Sequence, residues 1–296
     1  MSVQARLKRY LLVLERVKHR PTFAELKEHL EDHGFSLSTR TLQRDIEQIR
    51  VELGLEILYD RPGNTYHLPD ADDDRSTILP LLERAVLGEL LGSHGGAIRA
   101  AAPYVVIERS GQLQGLHHWG PLLRAIRERR EVVITYRRFQ KEAEQVLRVR
   151  PYLLKEYRGR WYVLGLSDGY DRPISLGLDR MVGLQVTAKR INARDRENVE
   201  RFYAPVIGVD SSPGKAERVV LRFTPLQGKY AKALPLHSSQ QVLQDDAEAV
   251  VVALHVLTNF ELKQELLGLG AAVNVLEPAW LAKEIREVHL AAAGRR

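Results

Sequence analysis

The sequence contains no cysteine, which removes disulfides, thiolate zinc sites and cysteine nucleophiles together and suits a reducing compartment. It also lacks a long apolar run. The longest, residues 249–257, is interrupted by His255 and is less than half of the roughly 20 residues a membrane span requires. The apolar Leu11-Leu12-Val13-Leu14 is flanked by charges and precedes no small-residue cleavage pattern, so a cytoplasmic protein with no membrane partner is expected. Glycine and proline, 21 and 13 of 296 residues, do not exceed ordinary globular usage, which excludes collagen-like and low-complexity chains. Enzyme signatures are missing as well: there is no G-x-S-x-G, no H-E-x-x-H and no phosphate-loop G-x-x-x-x-G-K-[ST]. Gly88, Gly92, Gly95 and Gly96 lack the strand-to-helix setting of a dinucleotide loop, and His117-His118, without local carboxylates, read as a surface or turn pair. No catalytic residue, metal or cofactor is expected.

What is present is a chain long enough for two or three domains with a net charge of +6 placed very unevenly. Residues 111–196 hold 18 Lys+Arg against 9 Asp+Glu, while residues 1–70 balance at 11 against 11. Such a segment either meets a polyanion or forms a basic solvated surface.

The first 70 residues read as three helices and a hairpin. Leu7, Tyr10, Leu11, Leu14 and Val17 recur at three- and four-residue spacings, the stripe of an amphipathic helix. Thr22 with Glu25 forms a capping-box pattern ahead of Phe23, Leu26 and Leu30, and Ser38 caps a third helix whose Leu42, Ile46, Ile49 and Leu53 share one face. Arg40 and Arg44 point away from that face. Two β-like runs, residues 56–59 and 65–68, flank a Gly-Asn tip. Helices and hairpin in this order describe a winged helix-turn-helix in residues 1–70, with Ser38, Thr39, Arg40, Thr41, Gln43 and Arg44 on the helix that would enter the DNA major groove and Arg61 and Asn64 on the wing. A protein-binding winged helix is the alternative, to which the neutral charge balance lends some weight.

Residues 69–76 are acidic and polar and read as a linker without a calcium-loop pattern. Residues 71–119 form a linker and helical bridge, helical over 78–91, in which dimerisation is the expected role. From residue 120 a short helix, 121–130, precedes β-rich runs at 132–139, 146–155, 161–166 and 174–186, a small mostly-β module spanning 120–196. Alternation in the second run sends Arg148, Arg150 and Tyr152 to one face, giving the module a basic face with an exposed aromatic. Residues 192–198 read as a polar connector. Residues 215–296 follow a βαββαβα order, which suggests a ferredoxin-like α+β sandwich. The fold class expected is thus α+β and multidomain.

The motifs Ser38-Thr-Arg-Thr-Leu-Gln-Arg-Asp45, Trp161-Tyr162-Val163 and Leu178-Asp179-Arg180-Met181, in that order, resemble the WYL-domain transcriptional regulators of bacteria over nearly the whole chain. Val163 and Met181 replace the family's usual Leu and Ile, both apolar changes. The resemblance implies an SH3-like or Sm-like β-barrel that senses a nucleotide or short nucleic acid, a C-terminal WCX extension, and a homodimer acting on double-stranded operator DNA, here expected to be palindromic. It implies ligand contacts at Tyr136, Arg148 and Arg180, to which strand alternation adds Arg150 and Tyr152, with Trp161 and Tyr162 shaping the core and pocket wall. Members include repressors of phage-defence gene clusters and activators in DNA-damage responses; repression is the expectation for this chain. The competing expectation is a non-specific single-stranded nucleic-acid-binding accessory protein without a regulatory role.

Overall fold

The computed structural model describes residues 3–69, 78, 80–82, 84, 85, 114–139 and 143–294. The acidic run after Pro69, most of the expected 78–91 helix and the segment assigned to dimerisation lie outside them; residues 78, 80–82, 84 and 85 are helical. The chain divides into two units, residues 1–108 and 109–296.

In the first unit α1 (Val3–Val17), α2 (Phe23–Asp32) and α3 (Thr39–Leu53) bury Tyr10, Val13, Leu14, Leu26, Leu30, Leu42 and Ile49 in one core. The Thr22–Glu25 capping box forms, with the Glu25 amide donating to the Thr22 hydroxyl at 3.3 Å and the Thr22 amide to the Glu25 carboxylate at 2.7 Å. Ser38 caps α3 by accepting from the Thr41 amide at 3.2 Å, and Gly54 ends it in the left-handed conformation, φ 71°. A short antiparallel hairpin follows, β1 (Leu58–Asp60) with β2 (Thr65–His67), tied to the start of α2 by the Tyr66 amide donating to Pro21 O at 2.8 Å.

The second unit opens with a 3₁₀ turn, Leu116–His118, leading into α4 (Trp119–Arg127). Five antiparallel strands follow: β3 (Arg130–Arg137), β4 (Glu144–Tyr157), β5 (Arg160–Ser167), β6 (Ile174–Gly177) and β7 (Met181–Arg190), in the spatial order β6-β5-β4-β3-β7. The sequence pattern suggests one strand over 174–186; a 3₁₀ turn, Leu178–Arg180, breaks it in two. That break has a geometric cause. Strands β6 and β7 lie at opposite edges of the sheet, about 19 Å apart were it flat, yet the three residues between Gly177 and Met181 let the chain reach at most about 14 Å. The sheet must therefore curl, and the turn is its seam. Tyr136 on β3 reaches across to accept the Gly177 amide at 3.2 Å. Gly115 fits here because a Cβ on it would stand 2.1 Å from the carbonyl oxygen of Leu178.

The inner face carries Val132, Ile134, Leu147, Val149, Val163 and Leu176, against which Leu122 and Ala125 of α4 pack. The opposite face is covered by α5 (Asp195–Tyr203), where the sequence reads as a polar connector. Six of the first seven residues of α5 are charged or amide-bearing, which hides the helix. Its burial rests on only Val199 and Tyr203, packed with Tyr152, Tyr162 and Leu164, and ion pairs Arg196–Glu200 and Glu197–Arg201, each 2.7 Å, brace its outer side.

The C-terminal module runs β8 (Ala216–Phe223), α6 (Pro225–Ala233), β9 (Gln241–Asp245), β10 (Val250–Leu257), α7 (Phe260–Leu269), β11 (Val273–Glu277) and α8 (Ala279–Gly294). Its four strands are antiparallel in the order β11-β8-β10-β9, with Leu262, Leu266, Leu281 and Ile285 packed onto Val219, Leu221, Val252 and Leu254. Residues 204–210 join the two modules and are gripped from both. The Lys155 ammonium donates to Val206 O at 3.1 Å, Asn259 Nδ2 to Ile207 O at 2.7 Å, and the buried Glu261 carboxylate accepts the amides of Val209 and Asp210 at 3.1 and 2.9 Å. Burial pushes the Lys155 ammonium below its ordinary pKa, opposed by the charge of Glu261.

Candidate functional site

Two surfaces carry the residues singled out in the sequence. On α3, Ser38, Thr39, Arg40, Gln43 and Arg44 are exposed and Thr41 is half-buried, its hydroxyl 2.9 Å from that of Ser38. Arg40 and Arg44, one helical turn apart, form no ion pair among the described residues. Behind them sits a group the sequence reading passed over. Asp45 is fully buried and receives Arg9 of α1 in a bidentate pair, Nε at 2.7 Å and Nη2 at 3.0 Å. On the hairpin Arg61 and Asn64 are exposed, but Asn64 adopts φ 52° and accepts the Tyr59 hydroxyl at 2.8 Å, so its side chain serves the turn.

The second surface is a cavity of about 340 Å³ at the end of β3, lined by Tyr136, Arg138, Phe139, Tyr170, Arg172 and Arg180 among others. The Arg180 guanidinium lies between two rings, 5.2 Å from the centre of Tyr136 and 5.1 Å from that of Phe139. Tyr136 is buried and its hydroxyl is pushed above its usual pKa by burial, while Arg180 pulls it the other way. Phe139 is the opposite case, with 80% of its surface exposed. Arg138 donates to the Tyr170 hydroxyl, and the Nε groups of Arg138 and Arg180 are buried without a hydrogen-bond partner among the described residues. Asp179 pairs instead with Arg160, outside the cavity lining. Donors without acceptors beside an exposed ring favour an anionic, planar ligand.

Of the residues expected at the ligand site, the structure brings together Tyr136 and Arg180 only. Arg148 faces the buried carboxylate of Glu131 at 3.7 Å, which Lys189 also approaches at 2.8 Å, and Arg150 faces Asp168 at 3.6 Å. Tyr152 is not an exposed aromatic: it is buried under α5, donating to Asn192 O at 3.0 Å and Asp195 Oδ2 at 3.3 Å, and burial, then Asp195, push it up to about 12. Trp161 stacks edge-on against Trp119 at 5.7 Å and Tyr162 is buried, both as packing residues. His118 is likewise no surface residue; it is buried and its Nε2–H donates to Met181 O at 3.1 Å. Sequence reasoning missed Arg138, Phe139, Tyr170 and Arg172. The run Tyr136-Arg-Arg-Phe139, basic residues enclosed by aromatics, is the signal that could have found the first two.

These features define a multidomain protein with an exposed arginine-bearing helix in one unit and an arginine–aromatic cavity on a curled β-module in the other. The chain matches the WYL domain over residues 117–186 and the WCX domain over residues 215–293, and so belongs to the WYL-domain proteins with a WCX extension. Among solved structures it is similar to proteasome accessory factor B/C (PafBC) of Arthrobacter aurescens, at 20% identity and TM-score 0.26, over 98% of this chain and 47% of that one. A CRISPR Cas-related protein is similar at 12% identity and TM-score 0.40, over 98% of this chain and 84% of that one. No curated protein sequence matches. Among the described residues no helix is long and apolar enough to cross a membrane.

Proposed function

We propose that the protein is a sequence-specific DNA-binding transcriptional regulator whose WYL domain binds a nucleotide or short nucleic-acid effector. In this reading residues 1–70 are a winged helix-turn-helix placing Arg40 and Arg44 in the major groove, residues 120–196 a small SH3- or Sm-like barrel, and residues 215–296 a ferredoxin-like sandwich, for which the β11-β8-β10-β9 order is the support. The observation that carries the effector reading is Arg180 held between Tyr136 and Phe139 over a cavity of nucleotide size, about 340 Å³. An effector phosphate would pair with the guanidinium groups of Arg138 and Arg180 in the cavity lining, and a base would lie on Phe139. A palindromic operator, a homodimer and repression, for instance of a phage-defence gene cluster, complete the proposal on the family resemblance.

Regulation requires that the effector bind DNA-competent and DNA-incompetent states with different affinity. The test is salt-controlled binding to DNA from upstream of the protein's own gene against unrelated duplex of equal length, repeated with nucleotides and short oligonucleotides added. Preference for the upstream fragment, altered by one of those additions, is the expected result. Equal affinity for all duplexes with a steep salt dependence would instead identify a non-specific nucleic-acid-binding protein.

A further inference from the structure

The cavity leaves most of the positive charge of residues 111–196 unexplained, and five of the other arginines gather at the other end of β3. Arg124 and Arg127, three residues apart on α4, line an open groove with Glu128. Arg129 follows in the turn into β3, and its carbonyl accepts the Ile191 amide at 2.9 Å, which brings it beside Arg190. Arg130 and Arg190 are direct cross-strand partners in the β3–β7 ladder. Five arginines therefore share one corner with a single exposed carboxylate, Glu128, and none of the five forms an ion pair among the described residues. The nearby Glu131 does not neutralise them, since it is buried and already faces Lys189 and Arg148.

Two details run against stability and so ask for another reason. Like charges directly opposite on neighbouring strands repel, as Arg130 and Arg190 must. Arg129 adopts φ 55°, a left-handed conformation that glycine or asparagine would take with less strain. The C-terminal end of α4 welcomes Arg124 and Arg127 through the helix dipole, and Arg130 donates to the Ala188 carbonyl, but that leaves Arg129 and Arg190 unaccounted for.

We infer that this corner is a second nucleic-acid contact, separate from the aromatic cavity, which grips the sugar-phosphate backbone without reading bases. The chemistry is specific on the last point. None of the residues that form the corner is aromatic, so nothing there can stack on a base, whereas guanidinium groups pair with phosphates of any sequence. The two sites stand at opposite ends of β3, six residues or about 20 Å apart along the strand. A mononucleotide in the cavity cannot span that distance, so one ligand engages both sites only if it is a polynucleotide.

The test uses the full chain carrying Arg40→Ala and Arg44→Ala, so that the α3 surface does not mask the result, and a fluorescent single-stranded oligonucleotide of mixed sequence. Binding is followed against salt for that protein, for the further triple variant Arg124→Ala/Arg127→Ala/Arg190→Ala, and for the same three positions changed to lysine. Loss of three backbone contacts should flatten the slope of log affinity against log salt by about 2 and weaken binding at least tenfold at about 0.1 M salt. The lysine variant should keep the slope. An unchanged slope in the alanine variant overturns the inference, and so does a lysine variant as weak as the alanine one, which would mean the arginines act by packing. Arg180→Ala in parallel separates the two sites: if it alone abolishes binding while the triple alanine variant behaves normally, the effector cavity stands and the corner falls.

Discussion

Arg9 holds both carboxylate oxygens of Asp45 inside the first unit, at 2.7 and 3.0 Å, with neither side chain more than 2% exposed. The pair joins α1 to the middle of α3 and thereby sets the angle at which Arg40 and Arg44 face outward. A fixed bidentate geometry does this better than apolar packing, which tolerates sliding.

Asp45→Ala is expected to cost the first unit about 3–5 kcal/mol, because it removes the buried carboxylate that receives both Nε and Nη2 of Arg9. Denaturant unfolding followed by a probe in residues 1–69 measures this. A loss below about 1 kcal/mol would mean that the pair does not anchor α3.

Arg40→Ala and Arg44→Ala should leave that unfolding curve unchanged, since both side chains are exposed, and weaken binding to a preferred duplex by about 1–3 kcal/mol each. Binding isotherms at one salt concentration decide it. Full affinity in both variants would remove α3 from the DNA interface.

Effector binding should divide the arginines of the β-module. Arg180→Ala and Phe139→Ala are expected to weaken nucleotide binding by about ten- to a hundredfold, the loss typical of a missing stacking surface or phosphate donor. Arg148→Ala should bind normally, because Arg148 faces Glu131 rather than the cavity. Isothermal titration on the three variants distinguishes the cavity from the strand face predicted by alternation, and a loss in Arg148→Ala alone would restore the latter.

His118, His29 and His237 are all held below the ordinary histidine pKa, in each case first by burial. For His118 the Nε2–H bond to Met181 O pulls the other way but does not outweigh burial. A histidine depressed in the folded state binds its proton more readily when unfolded, so its contribution is complete above the unfolded pKa of about 6.5 and is lost as pH falls below it. The second unit should therefore melt at a lower temperature at about pH 5.5 than at about pH 7.5. His118→Asn should lessen that difference; a variant with the full difference would exclude His118 as a contributor.

The first unit was legible because its signals are local. A cap at Ser38, a capping box at Thr22 and the stripe from Leu42 to Leu53 each depend on residues within a turn or two of one another. The β-module was legible as strands but not as a site. Strand alternation put Tyr152 beside Arg148 and Arg150, correctly as to side, yet said nothing of α5, which arrives from 40 residues further on and buries the ring. Arg148 and Arg150 fared similarly, since the carboxylates that face them come from β3 and from the turn after β5. Tyr136 and Arg180 meet only because the sheet curls, a property of strand order that no short window of sequence contains.

The grip on residues 204–210 has a consequence for how this chain can be taken apart. The matched WYL segment ends at residue 186, but the bonds that complete it do not. Cutting there would bare Tyr152, Tyr162 and Leu164, leave the Lys155 ammonium without the carbonyl it was desolvated to reach, and free a connector whose amides are held by Glu261. The two modules are thus expected to unfold together, and a swap of C-terminal modules between relatives should keep activity only when the connector, Lys155 and Glu261 travel as one inherited piece.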